Sequence, residues 1–258
     1  MIRFAFVLML GSALASPLVA QDANALAGKR VVFLGDSITQ AGGYVGFVSY
    51  YLEKLHPNKD FDFLGLGLAS ETLSGLSEEG HAGGQFPRPC LFERLGRVLE
   101  KAKPDVVFAC YGMNDGIYLP LEKERFAAFQ KGVAKLIDQC KEAGAKKVFL
   151  VTPPIYDFSP KKNEFNYDAV LTEYAKWEVA LKVPDVTVID LHSAMRAARD
   201  RRDAPYSGDK VHPGDDGQLF IAKTILTAFK VKTADETLAT IKVRSSGSFV
   251  IGEVAQQC

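Results

Sequence analysis

The stretch Arg30-Val31-Val32-Phe33-Leu34-Gly35-Asp36-Ser37-Ile38-Thr39 decides how the rest of the chain is read. Its first five residues form a near-continuous apolar run without polar alternation. That is the pattern of a strand buried on both faces. The run ends in Gly35, and Asp36 and Ser37 follow, residue types that start helices. Strand, tight turn and helix start in this order open a βα unit.

Four more runs of the same kind follow, at 61–66, 105–111, 147–151 and 186–190. Helical periodicity fills the gaps between them. Phe126, Phe129, Val133, Leu136, Ile137 and Cys140 recur at spacings of three and four, with Gly144 as a stop signal. A second stripe runs through Tyr167, Val170, Leu171, Tyr174, Trp177 and Leu181, with Pro184 beyond it. A third takes Leu219, Phe220, Leu226 and Phe229 after the helix-start residues Pro213, Gly214 and Asp215. An aromatic stripe at this spacing is the core-facing side of a helix far more often than the lining of a cofactor pocket. Strands alternating with helices predict a parallel sheet covered on both faces, a three-layer α/β/α sandwich.

The chain has 258 residues, room for one large α/β domain. We place that domain at 29–230. Residues 231–258 are read as a C-terminal extension with two short candidate strands, at 240–243 and 248–251, of no assigned role. The N-terminus begins Met1-Ile2-Arg3 and continues through an apolar stretch to small residues around Ala15 and Ala20. This reads as a secretory signal peptide over about 1–20, hence a secreted or periplasmic protein with no stable membrane insertion after cleavage. An uncleaved anchor is the alternative, although the apolar run falls short of the ~20 residues a span needs.

There are 31 basic and 31 acidic side chains, a formal net charge of zero. Nothing there provides the basic face that nucleic acid requires. The cysteines are Cys90, Cys110, Cys140 and Cys258. Cys110 and Cys140 read as small core residues, and a Cys90–Cys258 bridge stays open.

In an open parallel sheet, ligands bind beyond the carboxyl ends of the strands, near a switch in strand order. Ser37 follows the first run, where an exposed hydroxyl and a helix N-terminus would favour a nucleophile and developing negative charge. The plainer reading is a helix cap. Gly112-Met113-Asn114-Asp115-Gly116 follows the third run, and an Asn there offers its amide to an oxyanion. The plainer reading is an Asn-Asp-Gly turn. Ser207-Gly208-Asp209-Lys210-Val211-His212-Pro213 comes late. An Asp three residues before a His can hold one ring nitrogen and leave the other free as a base. Asp and His could also be metal ligands, but no His/Cys cluster has zinc spacing. We expect neither metal nor cofactor. Together, the three segments supply nucleophile, oxyanion donor, orienting acid and base in chain order.

On these motifs the chain resembles the SGNH/GDSL hydrolase superfamily over 29–229. Gly35-Asp36-Ser37-Ile38 matches its first block, Gly112-Met113-Asn114-Asp115 its third and Asp209-Lys210-Val211-His212 its last. The resemblance implies a flavodoxin-like sheet of five parallel strands in the order 2-1-3-4-5. It also implies metal-independent ester hydrolysis by Ser37, Asp209 and His212, with an oxyanion hole from Ser37, Ser70 and Asn114. The second block departs from the family. In Gly65-Leu66-Gly67-Leu68-Ala69-Ser70-Glu71-Thr72, Gly65 stands at the usual Asn position and Ser70 at the usual Gly position. Ser70 keeps a backbone N–H, but lacks the conformational freedom of Gly.

The long polar segment 77–89 follows the second run and is read as a specificity loop, with His81 or Arg88 touching substrate, the plainer reading being an inert surface loop. Segment 157–165 is a second candidate rim. The leading expectation is a short-acyl esterase acting on O-acetylated carbohydrate, a small molecule or a polysaccharide. The alternatives are a lipolytic enzyme, such as a lysophospholipase or thioesterase, and a non-catalytic carbohydrate-binding protein on the same fold.

Overall fold

The computed structural model describes residues 22–159, 161 and 164–233. The expected signal peptide, the two candidate C-terminal strands and Cys258 lie outside the described residues.

Five strands form one sheet, paired parallel throughout, in the order β2-β1-β3-β4-β5. They are β1 (Arg30–Gly35), β2 (Asp62–Gly67), β3 (Val106–Cys110), β4 (Lys147–Val151) and β5 (Val186–Ile189). Each coincides within a residue or two with an apolar run expected from sequence. Central β1 and β3 are buried almost end to end, whereas the edge strands β2 and β5 are only half-buried.

The helices are α1 (Ser37–Gln40), α2 (Gly43–Leu55), α3 (Leu95–Ala102), α4 (Lys123–Glu142), α5 (Tyr167–Ala180), α6 (Leu191–Arg199) and α7 (Asp215–Ala228). The three expected stripes are α4, α5 and α7. From β1 the chain crosses outward to β2, then runs the other way through β3, β4 and β5. Right-handed crossovers in opposite directions put helices on both faces of the sheet.

One face of the sheet carries a ladder of rings. Phe33, Phe108 and Phe149 are register partners on β1, β3 and β4. Their centroids stack 4.7 and 4.6 Å apart, about the spacing of neighbouring strands. Tyr44 from α2 and Phe229 beyond α7 close over this ladder. In the α4–α5 pair, Phe126 and Phe129 stack on Tyr174 and meet the edge of Trp177.

The strand order reverses between β1 and β3. The crevice at their carboxyl ends is where this topology places a ligand, and the loops carrying Ser37 and Asn114 open onto it.

Candidate active site

Ser37 is the first residue of α1. Asp36 caps that helix, its side chain accepting from the Ile38 N–H at 2.9 Å. The capping expected of this segment and the exposed hydroxyl therefore coexist in adjacent residues. The turn is packed from behind by the end of β2. A Cβ on Gly67 would run into the backbone of Gln40 and lie 2.7 Å from the Asp36 carbonyl oxygen. Glycine is required there by close approach. Gln218 of α7 accepts from the Tyr44 N–H at 2.9 Å, tying the start of α2 to α7.

Ser37 Oγ lies 2.8 Å from His212 Nε2. His212 Nδ1 lies 2.6 Å from Asp209 Oδ2. The other oxygen, Asp209 Oδ1, accepts from the backbone N–H groups of His212 at 2.8 Å and Val211 at 3.0 Å. Burial works against ionising Asp209, but these N–H groups and the imidazole outweigh it and hold the carboxyl at about 2. An acceptor-only carboxylate keeps a proton on Nδ1 and leaves the Nε2 lone pair aimed at the serine. The His212 and Asp209 side chains are 51 % and 57 % exposed, so the site is open to solvent.

The loop bearing these two residues is fixed from beneath by Asp157. Its carboxylate accepts from Arg199 Nε at 2.6 Å, the Tyr206 N–H at 2.5 Å and the Ser207 N–H at 3.1 Å. Its backbone N–H donates to the Lys210 carbonyl at 2.8 Å. The expected rim 157–165 therefore begins with a residue turned inward, because a carboxylate with three donors has more to gain there than in water.

The Ser70 position is now explicable. The Glu71 N–H donates to the Leu68 carbonyl at 3.2 Å, closing a β-turn whose third residue, Ser70, has φ +63°. A positive φ at that place is the mark of a type II turn and the reason Gly is favoured there. Here Ser accepts the left-handed conformation, and two anchors hold it. Glu71 is fully buried and accepts from Arg94 Nε at 2.6 Å, Arg94 Nη2 at 2.7 Å and the Tyr111 hydroxyl at 2.6 Å. The Ala69 N–H donates to Gln40 Oε1 at 2.7 Å.

Asn114 is buried beyond β3. Its Nδ2 donates to the Glu71 carbonyl at 3.3 Å, which links the loops after β2 and β3. Asp115 adds a second link, accepting from the N–H groups of Leu73, Ser74 and Gly112 at 2.7–3.1 Å. Burial nevertheless pushes its carboxyl up to about 6.

The two expected substrate contacts fare differently from the rest. Arg88 does not reach out to a rim: it is 8 % exposed, and its guanidinium is engaged by Glu78 and Asn114. The backbone accounts for this. Thr72 and Cys90 form an isolated bridge, so loop 77–89 returns to its own base and carries Arg88 inward. His81 sits at the loop's tip, 3.3 Å from Glu78 and edge-on to Phe86. Sequence reasoning missed Glu71, Glu78, Arg94, Asp157 and Arg199. Each is one charged residue in a loop or helix, without a spacing pattern to betray its partner.

The GDSL-like lipase/acylhydrolase family matches residues 33–219 of this chain. No curated protein sequence matches it. Among solved structures it is similar to an acetylxylan esterase, Axe2 of Geobacillus stearothermophilus. The two share 20 % identity over 80 % of this chain and 96 % of that one, with a TM-score of 0.63. LAE5, an alpha/beta hydrolase from the metagenome of Lake Arreo, Spain, is similar at 22 % identity, covering 81 % and 98 % of the two chains with a TM-score of 0.58. At such identities the likenesses speak for the fold. The family match spans most of the chain and takes in all three motif segments, so the chain belongs to the GDSL-like lipase/acylhydrolase family and is a carboxylic ester hydrolase.

Proposed function

We propose that this hydrolase is an exported short-acyl esterase that removes acetyl groups from carbohydrate through an acyl-serine intermediate. The observation that carries the mechanism is the continuous chain Ser37 Oγ–His212 Nε2 and His212 Nδ1–Asp209 Oδ2, at 2.8 and 2.6 Å. In this reading Ser37 Oγ attacks the ester carbonyl carbon while His212 Nε2 takes its proton. Asp209 orients the ring and stabilises the imidazolium. The tetrahedral oxyanion is met by the N–H groups of Ser37 and Ser70 and by Asn114 Nδ2. Collapse expels the alcohol, which takes the proton from His212. Water then repeats the sequence on the acyl-enzyme and releases the acid.

The acetyl-carbohydrate preference rests on an open site, where His212 is half exposed and a bulky polyol can approach. The similar acetylxylan esterase fold points the same way. Export rests on the N-terminal charge and apolar pattern alone. One observation favours a lipolytic enzyme instead: Phe86, Leu119, Leu121 and Phe165, exposed large apolar side chains, all lie in loops that follow β2, β3 and β4.

Hydrolysis of p-nitrophenyl esters from acetyl to palmitoyl, by the protein and its Ser37→Ala variant, tests both readings. Activity confined to short chains and lost in the variant is the expected result, and acetylated xylan is the next substrate. Long-chain activity would replace the carbohydrate reading with the lipolytic one. Full activity in Ser37→Ala would overturn the nucleophile assignment.

A further inference from the structure

Asn114 is gripped at both ends of its amide. Its Oδ1 accepts from Arg88 Nη1 at 2.9 Å and from the Tyr118 hydroxyl at 3.1 Å. Its Nδ2 donates to the Glu71 carbonyl at 3.3 Å. Only one orientation of the amide suits these partners. Turned over, it would set an NH₂ against the guanidinium, which has no acceptor, and an oxygen against a carbonyl. An Asn NH₂ has two protons, and the Glu71 carbonyl uses one.

Arg88 is itself immobilised. Its Nε and Nη2 form a bidentate pair with Glu78 at 2.6 and 2.7 Å, and the guanidinium lies 5.3 Å from the centroid of the Tyr118 ring. The Arg88 N–H donates to Ser77 Oγ at 3.0 Å, closing the base of the loop. Burial works to raise the Glu78 carboxyl, but the Arg88 hydrogen bonds and charge outweigh it and hold it below its usual value. The pair is thus a fixed, nearly neutral device in which three guanidinium nitrogens are spoken for.

We infer that Arg88 is a positioning residue of the hydrolysis, locking and polarising the Asn114 amide so that the second Nδ2 proton is presented to the oxyanion. A charged donor on Oδ1 draws electron density from the amide and strengthens the N–H on its far side, as in any polarised chain of hydrogen bonds. The inference rests on the reading of Asn114 as an oxyanion donor. It assigns loop 77–89 a part in the chemical step, since the loop delivers the guanidinium.

The test is a double-mutant cycle with p-nitrophenyl acetate: Asn114→Ala, Arg88→Met, the pair together, and Arg88→Lys. Asn114→Ala lowers kcat by about a hundredfold if it is an oxyanion donor. Arg88→Met is expected to lower kcat by about tenfold, the order of one charged hydrogen bond, with KM nearly unchanged. In the Asn114→Ala background the same change should cost less than about twofold, because its target is gone. Arg88→Lys, which keeps a charged donor, should recover part of the loss. Losses that multiply in the double variant, or a wild-type kcat in Arg88→Met beside a crippled Asn114→Ala, would overturn the inference alone. A fully active Asn114→Ala would instead overturn the oxyanion reading beneath it. If thermal melts show Arg88→Met unfolded, Tyr118→Phe replaces it. That variant removes only the second donor and should lower kcat by about threefold with Asn114 present and not in its absence. Equal losses in both backgrounds would refute the mechanism.

Discussion

Replacing Asp157 by Asn removes one charge and leaves the shape of the side chain. The carboxylate is 1 % exposed and serves three donors, and these three hydrogen bonds brace the segment that ends in His212 or the helix beneath it, beside the separate bond from the Asp157 backbone N–H to the Lys210 carbonyl. An amide cannot replace it. Whichever way it is turned, an NH₂ faces either Arg199 Nε or the N–H groups of Tyr206 and Ser207. Breaking a fully buried ion pair by removing one partner costs about 3–5 kcal/mol. Arg199 is 17 % exposed, so water takes up part of its charge, and about 2–3 kcal/mol is expected. For a domain of roughly 200 residues each kcal/mol moves the melting temperature by about 2–4 °C. Asp157→Asn should therefore melt roughly 5–10 °C lower. Activity should fall further than folding does, since a shift of ~1 Å at a reacting group can cost about a hundredfold in rate. Scanning fluorimetry gives the first quantity. Ester hydrolysis well below the variant's own melting temperature gives the second, with unfolding excluded. A variant that melts within about 2 °C of the parent and keeps kcat within about twofold would refute the claim that Asp157 holds the loop.

Ser70→Gly relieves about 1 kcal/mol of left-handed strain and gives back a similar amount in unfolded-chain entropy. Its melting temperature and kcat should both stay close to the parent's, while Ser70→Val, β-branched at positive φ, should lose both. Equal behaviour of the two variants would remove the turn from the argument. Gly67→Ala puts a methyl into the backbone of the turn that carries Ser37. A destabilisation of about 1–3 kcal/mol with loss of kcat is expected in urea melts and kinetics, and a neutral variant would show that the turn can yield. Burial raises the Asp36 carboxyl from 3.8 to about 7. The folded state then holds a proton that the unfolded chain releases near pH 4, so this stability is present below that pH and is lost as pH rises through 7. Thermal melts should fall between about pH 4 and 7, and Asp36→Asn, neutral throughout, should flatten the slope. An unchanged slope would reassign it.

The central strands were legible because burial on both faces leaves a short run with almost no polar interruption, as in 147–151, and the edge strands β2 and β5, only half-buried, were legible as similar short apolar-rich runs between turn residues. The places of Ser37 and Asn114 were legible because each closely follows a strand end, and those of Asp209 and His212 because the two stand three residues apart just ahead of a helix start. What holds them was not. Asp157 finds Arg199 across 42 residues and Arg88 finds Asn114 across 26, separations set by loop paths that carry no periodicity. Arg88 was expected at a rim for the same reason: a polar loop does not reveal that the Thr72–Cys90 bridge turns its end inward.

The Ser37–His212 hydrogen bond spans 175 residues. Ser37 lies at the end of β1 and His212 just before α7, which reaches back through Gln218 to the start of α2. Loop closure over such a distance is the costly, late event in assembling a chain. If α7 docks last, strand pairing is complete while Ser37 is still inert. Labelling by a serine-directed fluorophosphonate during refolding would act as a clock for the final docking of α7, reporting completion of the fold rather than its onset.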